Sequence, residues 1–177
     1  MHLHDPYHLK NLFTRELFEV YFFLFFRKLA LSMIGIFLPI YLYVELGFSL
    51  TQVILFFLVW TLSFALFLFP AVKVISKFGA KHSMIGSIPF MVGFLVLVLM
   101  LQYYPTLSWI AAIIYGAEFA FFWMGFHIDA ALNGKRKDLG KESGMISFLG
   151  ILPSVVGPLL GGVILYFLSF NVLYTFV

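Results

Sequence analysis

The sequence predicts an all-α polytopic membrane helix bundle, with five complete transmembrane helices and the start of a sixth. Of its 177 residues, 63% are apolar and only 11% are charged, whereas a water-soluble domain carries about 25% charged residues. The apolar residues also fall into runs of about 20, which is the length that a helix needs to cross a bilayer core. Because lipid offers the backbone no hydrogen-bond partners, these runs are expected to be helices.

Each helix follows from one apolar run. A polar tail at 1–16 comes first, and its His2, His4 and His8 are interpreted as part of a disordered cytoplasmic segment rather than a metal site. Ser49 and Gln52 have the spacing of a capping box, which predicts that the second helix begins directly after Ser49. The predicted helices cover 17–43, 50–72, 83–102, 108–128, 144–167 and a truncated 170–177.

The last apolar run, Phe170 to Val177, is too short to span a bilayer. We therefore expect an incomplete reading frame or one half of a longer protein. The alternative is a natural five-helix protein whose C-terminal segment lies at the membrane interface.

The distribution of positive charge predicts the topology. Lys and Arg occur around the start of the first helix, between the second and third helices, and between the fourth and fifth, whereas the other connections have none. Short loops rich in Lys and Arg remain in the cytoplasm, so the N-terminus is predicted to be cytoplasmic in a bacterial-type plasma membrane. The residues concerned are Lys10, Arg15, Arg27, Lys28, Lys73, Lys77, Lys81, Lys135, Arg136, Lys137 and Lys141.

Two segments resemble signatures of a known family. After the second helix, the run from Val72 to Lys81 is similar to the pattern Gly-x-Leu-Ala-Asp-Arg-x-Gly-Arg-Lys. Lys77, Gly79 and Lys81 keep its chemistry, Val72 replaces its first glycine and Ser76 replaces its acid. The fifth helix matches an antiporter-type pattern at every position but the second, with Gly144, Pro153, Gly157, Pro158, Gly161 and Gly162. The chain thus resembles the N-terminal half of a major facilitator superfamily transporter.

This resemblance implies a secondary active transporter built from two related six-helix halves that work by alternating access. The fifth-helix signature favours antiport or efflux of a small molecule. In the family, the acid of the loop pattern helps to close the cytoplasmic side, a role that Ser76 does not reproduce. For the fifth-helix run itself, proline kinks and small residues also permit tight helix packing without any transport role, which is the alternative.

Three ionisable residues fall inside the predicted helices: Arg27, Lys28 and Glu118. Arg27 and Glu118 both lie roughly 15–17 Å from the cytoplasmic ends of their helices. Ionisable residues at such depth are usually functional, and the resemblance implies that the first and fourth helices line the central cavity. We predict a substrate or coupling site of Arg27, Lys28, Glu118, Tyr21 and Tyr115, with the face of Lys28 directed inward. The alternative is that one cation extends to the interface.

In this hypothesis Glu118 binds a proton when an anionic substrate group occupies the cation, which couples proton movement to transport. The sequence has no Cys, no phosphate-binding loop and no nucleophile–base pattern, so we expect no ATP-driven transport, enzyme activity, cofactor or metal. The expected partners are the lipid bilayer, an unidentified small-molecule substrate, and a missing C-terminal half or a second copy, but not nucleic acid. The rival interpretations are a non-transporting integral membrane subunit or assembly component, and an integral membrane enzyme acting on lipids.

Overall fold

The computed structural model of the protein describes residues 15–133 and 139–176, so the three histidines of the predicted tail lie outside the described residues. Within these ranges the chain is helical and contains no strand. Its five long helices are α1 (Arg15–Gly35), α2 (Leu50–Phe78), α3 (Ala80–Met100), α4 (Ser108–Asn133) and α5 (Leu139–Phe167). A short helix, α6 (Phe170–Phe176), follows them.

Five helical spans of the described residues are long and apolar enough to cross a membrane. They are Phe22–Glu45, Leu50–Phe78, Ala80–Met100, Pro105–Leu132 and Ser147–Phe167. Large apolar side chains remain exposed along all five, as expected where lipid rather than water is the solvent. The predicted fold class, an all-α polytopic bundle, is confirmed.

The first span is not one continuous helix. The α-helix ends at Gly35, resumes over Phe37–Ile40 and passes into a π-helical turn, Tyr41–Glu45. Pro39 explains the interruption, because it has no N–H to donate to the carbonyl of Gly35. In the π-turn the N–H of Leu46 donates to the carbonyl of Tyr41 (3.1 Å).

The start of α2 has the predicted capping box. The N–H of Gln52 donates to Ser49 Oγ (3.2 Å), and the N–H of Ser49 donates to Gln52 Oε1 (2.8 Å). Both hydrogen bonds satisfy N–H groups that have no partner within the helix, so this expectation is confirmed.

The helix ends differ from the predicted boundaries where polar residues follow an apolar run. The second helix continues beyond residue 72 to Phe78, and the third begins at Ala80 instead of 83, so only Gly79 separates them. Similarly, α4 continues beyond 128 to Asn133, and α5 begins at Leu139, ahead of 144. Hydropathy marks where a helix leaves the apolar layer, not where its backbone hydrogen bonds stop.

The chain divides into two compact units. One contains α1, α5 and α6, and the other covers residues 38–133 with α2, α3 and α4. In the first unit, α1 packs mainly against α5; in the second, α4 packs against both α2 and α3. Each unit therefore supplies its own buried helix interfaces.

Candidate functional site

Glu118 lies in the middle of α4 and is completely buried, with 0% of its surface exposed. It is about 15 Å along the helix axis from Ser108. Tyr115 precedes it by one helical turn and Phe122 follows it by one turn, so the three share a face of the helix. Removing a carboxyl group from water is costly, so an acid at this depth of a membrane-spanning helix is a candidate functional residue.

Aromatic rings from α2 and α3 pack against this part of α4. Tyr115 lies between Phe94 of α3, with ring centroids 4.2 Å apart and planes at 10°, and Trp60 of α2, at 5.1 Å and 16°. Phe119 contacts the edge of Trp60 at 5.5 Å. Rings stacked on both faces hold the Tyr115 side chain in one orientation. Together these four aromatic residues make a rigid wall one turn from Glu118.

The indole nitrogen of Trp60 is a buried polar atom in this wall. Its Nε1 has no hydrogen-bond partner among the described residues. A buried donor usually has a partner, so this N–H is a candidate donor to a bound molecule or to water.

Helices α2 and α3 each approach α4 closely at a glycine of α4. A methyl group at Gly116 would lie 2.6 Å from Ser63 Cβ and 2.7 Å from the carbonyl oxygen of Trp60, both on α2. One at Gly125 would lie 2.9 Å from the carbonyl oxygen of Ala80 on α3. Close backbone contact of this kind holds the aromatic wall and Glu118 in fixed register.

Arg27 and Lys28 belong to the other unit, on α1. Arg27 is buried, with 5% of its surface exposed, whereas Lys28 is half-buried. Arg27 is buried on the same side of α1 as the apolar residues Leu24, Leu31 and Ile34. The expectation that the face of Lys28 lines a cavity stays a prediction.

The predicted site residues therefore form two groups. The structure brings Tyr115 and Glu118 together on α4, and Arg27 and Lys28 together on α1. Tyr21 also lies in α1, but the described side chains of that helix begin at Phe22. The two groups belong to different compact units.

The fifth-helix signature packs against α1. A methyl group at Gly157 would collide with the hydroxyl of Ser32, and one at Gly161 with the backbone carbonyl of Met33. Ser32 Oγ also donates a hydrogen bond across the interface to the carbonyl of Pro153 (2.7 Å). Small residues let these two backbones approach closely, as the pattern led us to expect.

The remaining members of the signature contribute less to this contact. A methyl group at Gly162 would lie at an ordinary 3.7 Å from the ring of Phe37, and one at Gly144 would meet no atom within 4 Å. Pro158 has no N–H, so it leaves the carbonyl of Ser154 without its helical donor. The close contact is therefore confined to the middle of α5.

Gly79 is the single residue between α2 and α3, and the chain changes direction there. Its φ of +94° is accessible to glycine and strained for other residues, and its N–H donates to the carbonyl of Ile75 (2.8 Å). Ser76, at the position of the pattern's acid, donates through Oγ to the carbonyl of Lys73 in its own helix (2.9 Å). Lys77 lies in the last turn of α2 and Lys81 in the first turn of α3, and both are exposed.

The sequence model of the Major Facilitator Superfamily matches residues 20–177, which is nearly the whole chain. The chain belongs to the Major Facilitator Superfamily. It is therefore an integral, multi-pass membrane protein and a transporter of the major facilitator type. Comparisons with curated proteins and with solved structures gave no match.

Sequence reasoning missed the aromatic and glycine contacts of this Major Facilitator Superfamily member. The stacking of Trp60 and Phe94 on Tyr115 has no local sequence signal, because all three lie in uniformly apolar runs. Gly116 did have one: Ala112, Gly116 and Ala120 repeat at four-residue spacing, which is typical of close helix packing. Both alanines are fully buried.

Proposed function

We propose that the chain forms one half of a secondary active transporter that exchanges a small molecule for protons by alternating access. The observation that carries this proposal is the complete burial of Glu118 beside the stacked rings of Tyr115 and Trp60. A carboxyl group at that depth gains or loses a proton only when its surroundings change, which alternating access provides. Membership of a transporter family makes proton coupling the simplest use of such a group.

Arg27 and Lys28 are the proposed counterparts on α1. Each supplies a positive charge inside a membrane-spanning helix, and such charges pair with other groups or line a pathway. In the proposed cycle, Glu118 binds a proton while an anionic part of the substrate still occupies the cations, and the substrate is released on that side. The protein then opens to the opposite side, where Glu118 releases the proton and the next substrate binds.

The test is pH-dependent transport by the full-length protein in proteoliposomes. Currents on a solid-supported membrane first identify transported compounds from a panel of anionic and zwitterionic small molecules. Glu118→Gln should then remove the response to an imposed pH gradient while leaving folding intact, because glutamine has the same shape but carries no titratable proton. Asp129→Asn is the matched control, since it neutralises a second buried acid near the end of the same helix.

Three outcomes would contradict the proposal. Unchanged pH dependence in Glu118→Gln would remove this residue from proton coupling. Equal loss in Asp129→Asn would show a general effect of lost charge. No current with any compound would favour the rival function, a non-transporting membrane subunit.

We also propose that the N-terminus is cytoplasmic and that the counterpart half is a C-terminal repeat or a second copy of this chain. The exposed lysines at the α2–α3 junction and the absence of Lys and Arg from residues 46–72 support this orientation. Single cysteines introduced at Glu45 and Lys137 should react with an impermeant thiol reagent from opposite sides of the membrane. Labelling of both from the same side would reverse the topology.

A further inference from the structure

Trp60 ends a column of stacked aromatic rings within the unit formed by residues 38–133. Phe94 stacks on Tyr115, with ring centroids 4.2 Å apart and planes at 10°, and Tyr115 stacks on Trp60 at 5.1 Å and 16°. We propose that a planar aromatic ring of the transported substrate extends this column by stacking on the second face of Trp60. The inference rests on the proposed function, which supplies the anionic group, and it makes the substrate a small aromatic acid.

The first argument is that the column is closed at one end and open at the other. Phe94 is completely buried, with 0% of its surface exposed, whereas Trp60 is only half-buried. Phe57 and Phe119 meet the Trp60 ring at steep angles of 76° and 87°. Among the described residues, Tyr115 alone stacks on Trp60. Because Trp60 Nε1 is buried, the exposed part of this residue is carbon surface, which suits an aromatic ligand.

The second argument is that the exposed part of Trp60 does not face lipid. Large exposed apolar residues of α2 lie two or nine positions from Trp60, which is the opposite side of a helix with about 3.6 residues per turn. They are Leu58, Leu62 and Phe69, with 48%, 57% and 74% of their surface exposed. Trp60 lies on the side of α2 that packs against α4. A ring that keeps exposed surface on that side is accessible from within the helix bundle.

The third argument is depth and charge. Trp60 lies about 15 Å along α2 from Leu50, and Glu118 lies about 15 Å along α4 from Ser108, so both are near the middle of a bilayer core of about 30 Å. Residues 46–72 contain no charged side chain, so the surface around Trp60 suits the uncharged part of a substrate. Stacking between aromatic rings adds about 2–12-fold in affinity beyond the burial of apolar area, and an aliphatic ring lacks this gain.

The test compares the binding of phenylacetate and cyclohexylacetate to the purified full-length protein in detergent by isothermal titration calorimetry. The two probes have the same charge and nearly the same size, and only one ring is aromatic. The wild-type protein should bind phenylacetate about 2–12-fold more tightly. Trp60→Leu should bind both probes with equal affinity, because it offers apolar surface without an aromatic face. Trp60→Phe should retain the preference for phenylacetate.

Trp109→Leu is the matched control, since it makes the same substitution at an exposed tryptophan near the start of α4. It should keep the preference of the wild type for phenylacetate. Equal affinity of the wild type for the two probes would overturn the proposal without any variant, and so would an equal loss of preference in Trp109→Leu. Aromatic faces also attract cations. Tighter binding of butyltrimethylammonium than of phenylacetate would identify a cation site, which overturns the proposal as well.

Tryptophan fluorescence locates the bound ring. The sequence contains three tryptophans, so the double variant W109F/W123F leaves Trp60 as the single fluorophore. A nitroaromatic ring stacked on an indole quenches its emission, and para-nitrophenylacetate should therefore quench Trp60 with a saturable dependence on concentration. Phenylacetate should relieve this quenching by competition, whereas cyclohexylacetate should do so less effectively. Quenching that increases linearly without saturation would indicate collisions only and would overturn the proposal.

Failure of this inference and failure of the proposed function give different results, because binding requires no proton exchange. A preference for phenylacetate that depends on Trp60, together with an unchanged pH response in Glu118→Gln, would support the aromatic site and remove proton coupling. Transport of aliphatic acids as fast as of aromatic ones, with the pH response lost in Glu118→Gln, would support proton coupling and overturn the aromatic site.

Discussion

The close approach of α4 to α2 at Gly116 predicts a large effect from one methyl group. In Gly116→Ala, the new Cβ would lie 2.6 Å from Ser63 Cβ and 2.7 Å from both the N of Phe64 and the carbonyl oxygen of Trp60. Two of these three atoms belong to the backbone of α2, so no rotamer change can relieve the contact. Ordinary contact begins at 3.4 Å, and the two helices would have to separate by about 0.8 Å.

The expected cost follows from two opposing terms. Overpacking a closely packed interface costs about 1–3 kcal/mol, and backbone collisions belong at the upper end of that range. Alanine recovers about 0.8–1.0 kcal/mol over glycine through its higher helix propensity. The net loss in the free energy of unfolding is therefore about 2 kcal/mol. For a protein of this size, that corresponds to a decrease in Tm of about 4–8 °C.

The assay is thermal unfolding in detergent, followed by intrinsic tryptophan fluorescence and by loss of the monodisperse peak in size-exclusion chromatography. Gly86→Ala is the matched control, because a methyl group there would meet nothing within 4 Å; its Tm should equal or exceed that of the wild type. Gly125→Ala, with contacts of 2.9 and 3.0 Å, should fall between Gly116→Ala and the wild type. A Tm for Gly116→Ala at or above that of Gly86→Ala would refute the packing argument.

Three further predictions concern other contacts. Ser32→Ala removes the hydrogen bond to Pro153 and should cost about 0.6 kcal/mol, the average for such bonds between membrane helices, measured as a small decrease in Tm; no change would mean that the bond contributes nothing. Gly157→Ala should be much more destabilising, and adding Ser32→Ala should restore part of the loss because the closest contact is Ser32 Oγ; additive losses would contradict this contact. Ser49→Ala should cost about 1 kcal/mol and speed hydrogen exchange at the first turn of α2, whereas exchange confined to other segments would argue against the cap.

The fold could be predicted well from the sequence because lipid imposes a simple rule. A helix that crosses a bilayer must be apolar over about 20 residues, so the spans were visible in composition alone. The cap at Ser49 was also predictable, since both of its hydrogen bonds join residues three apart. The end of α2 was not, because Lys73, Ser76 and Lys77 are polar yet compatible with a helix. The chain turns only at Gly79, where the backbone needs a positive φ.

The contacts of the candidate site were less predictable, because they join residues distant in sequence. The signature of α5 indicated a small-residue face but not its partner, and the structure assigns Gly157 to Ser32 and Gly161 to Met33. Tyr115 was singled out for its position one turn from Glu118, yet its stacking between Phe94 and Trp60 depends on how three helices pack. A single sequence carries no information about which of many equivalent apolar residues meet.

Glu118 shows how the two kinds of information combine. The sequence alone marked Glu118 as a candidate functional residue, because a single acid in a long apolar run has a high cost of desolvation. Its rigidity was not evident from the sequence, since that depends on Gly116 and Gly125, which bring α4 into backbone contact with α2 and α3 on either side of the acid. An acid held between two such contacts cannot escape burial by a small shift of its own helix. Under the proposed proton coupling, a change in its environment must therefore come from movement of larger parts of the protein, which is the motion that alternating access requires.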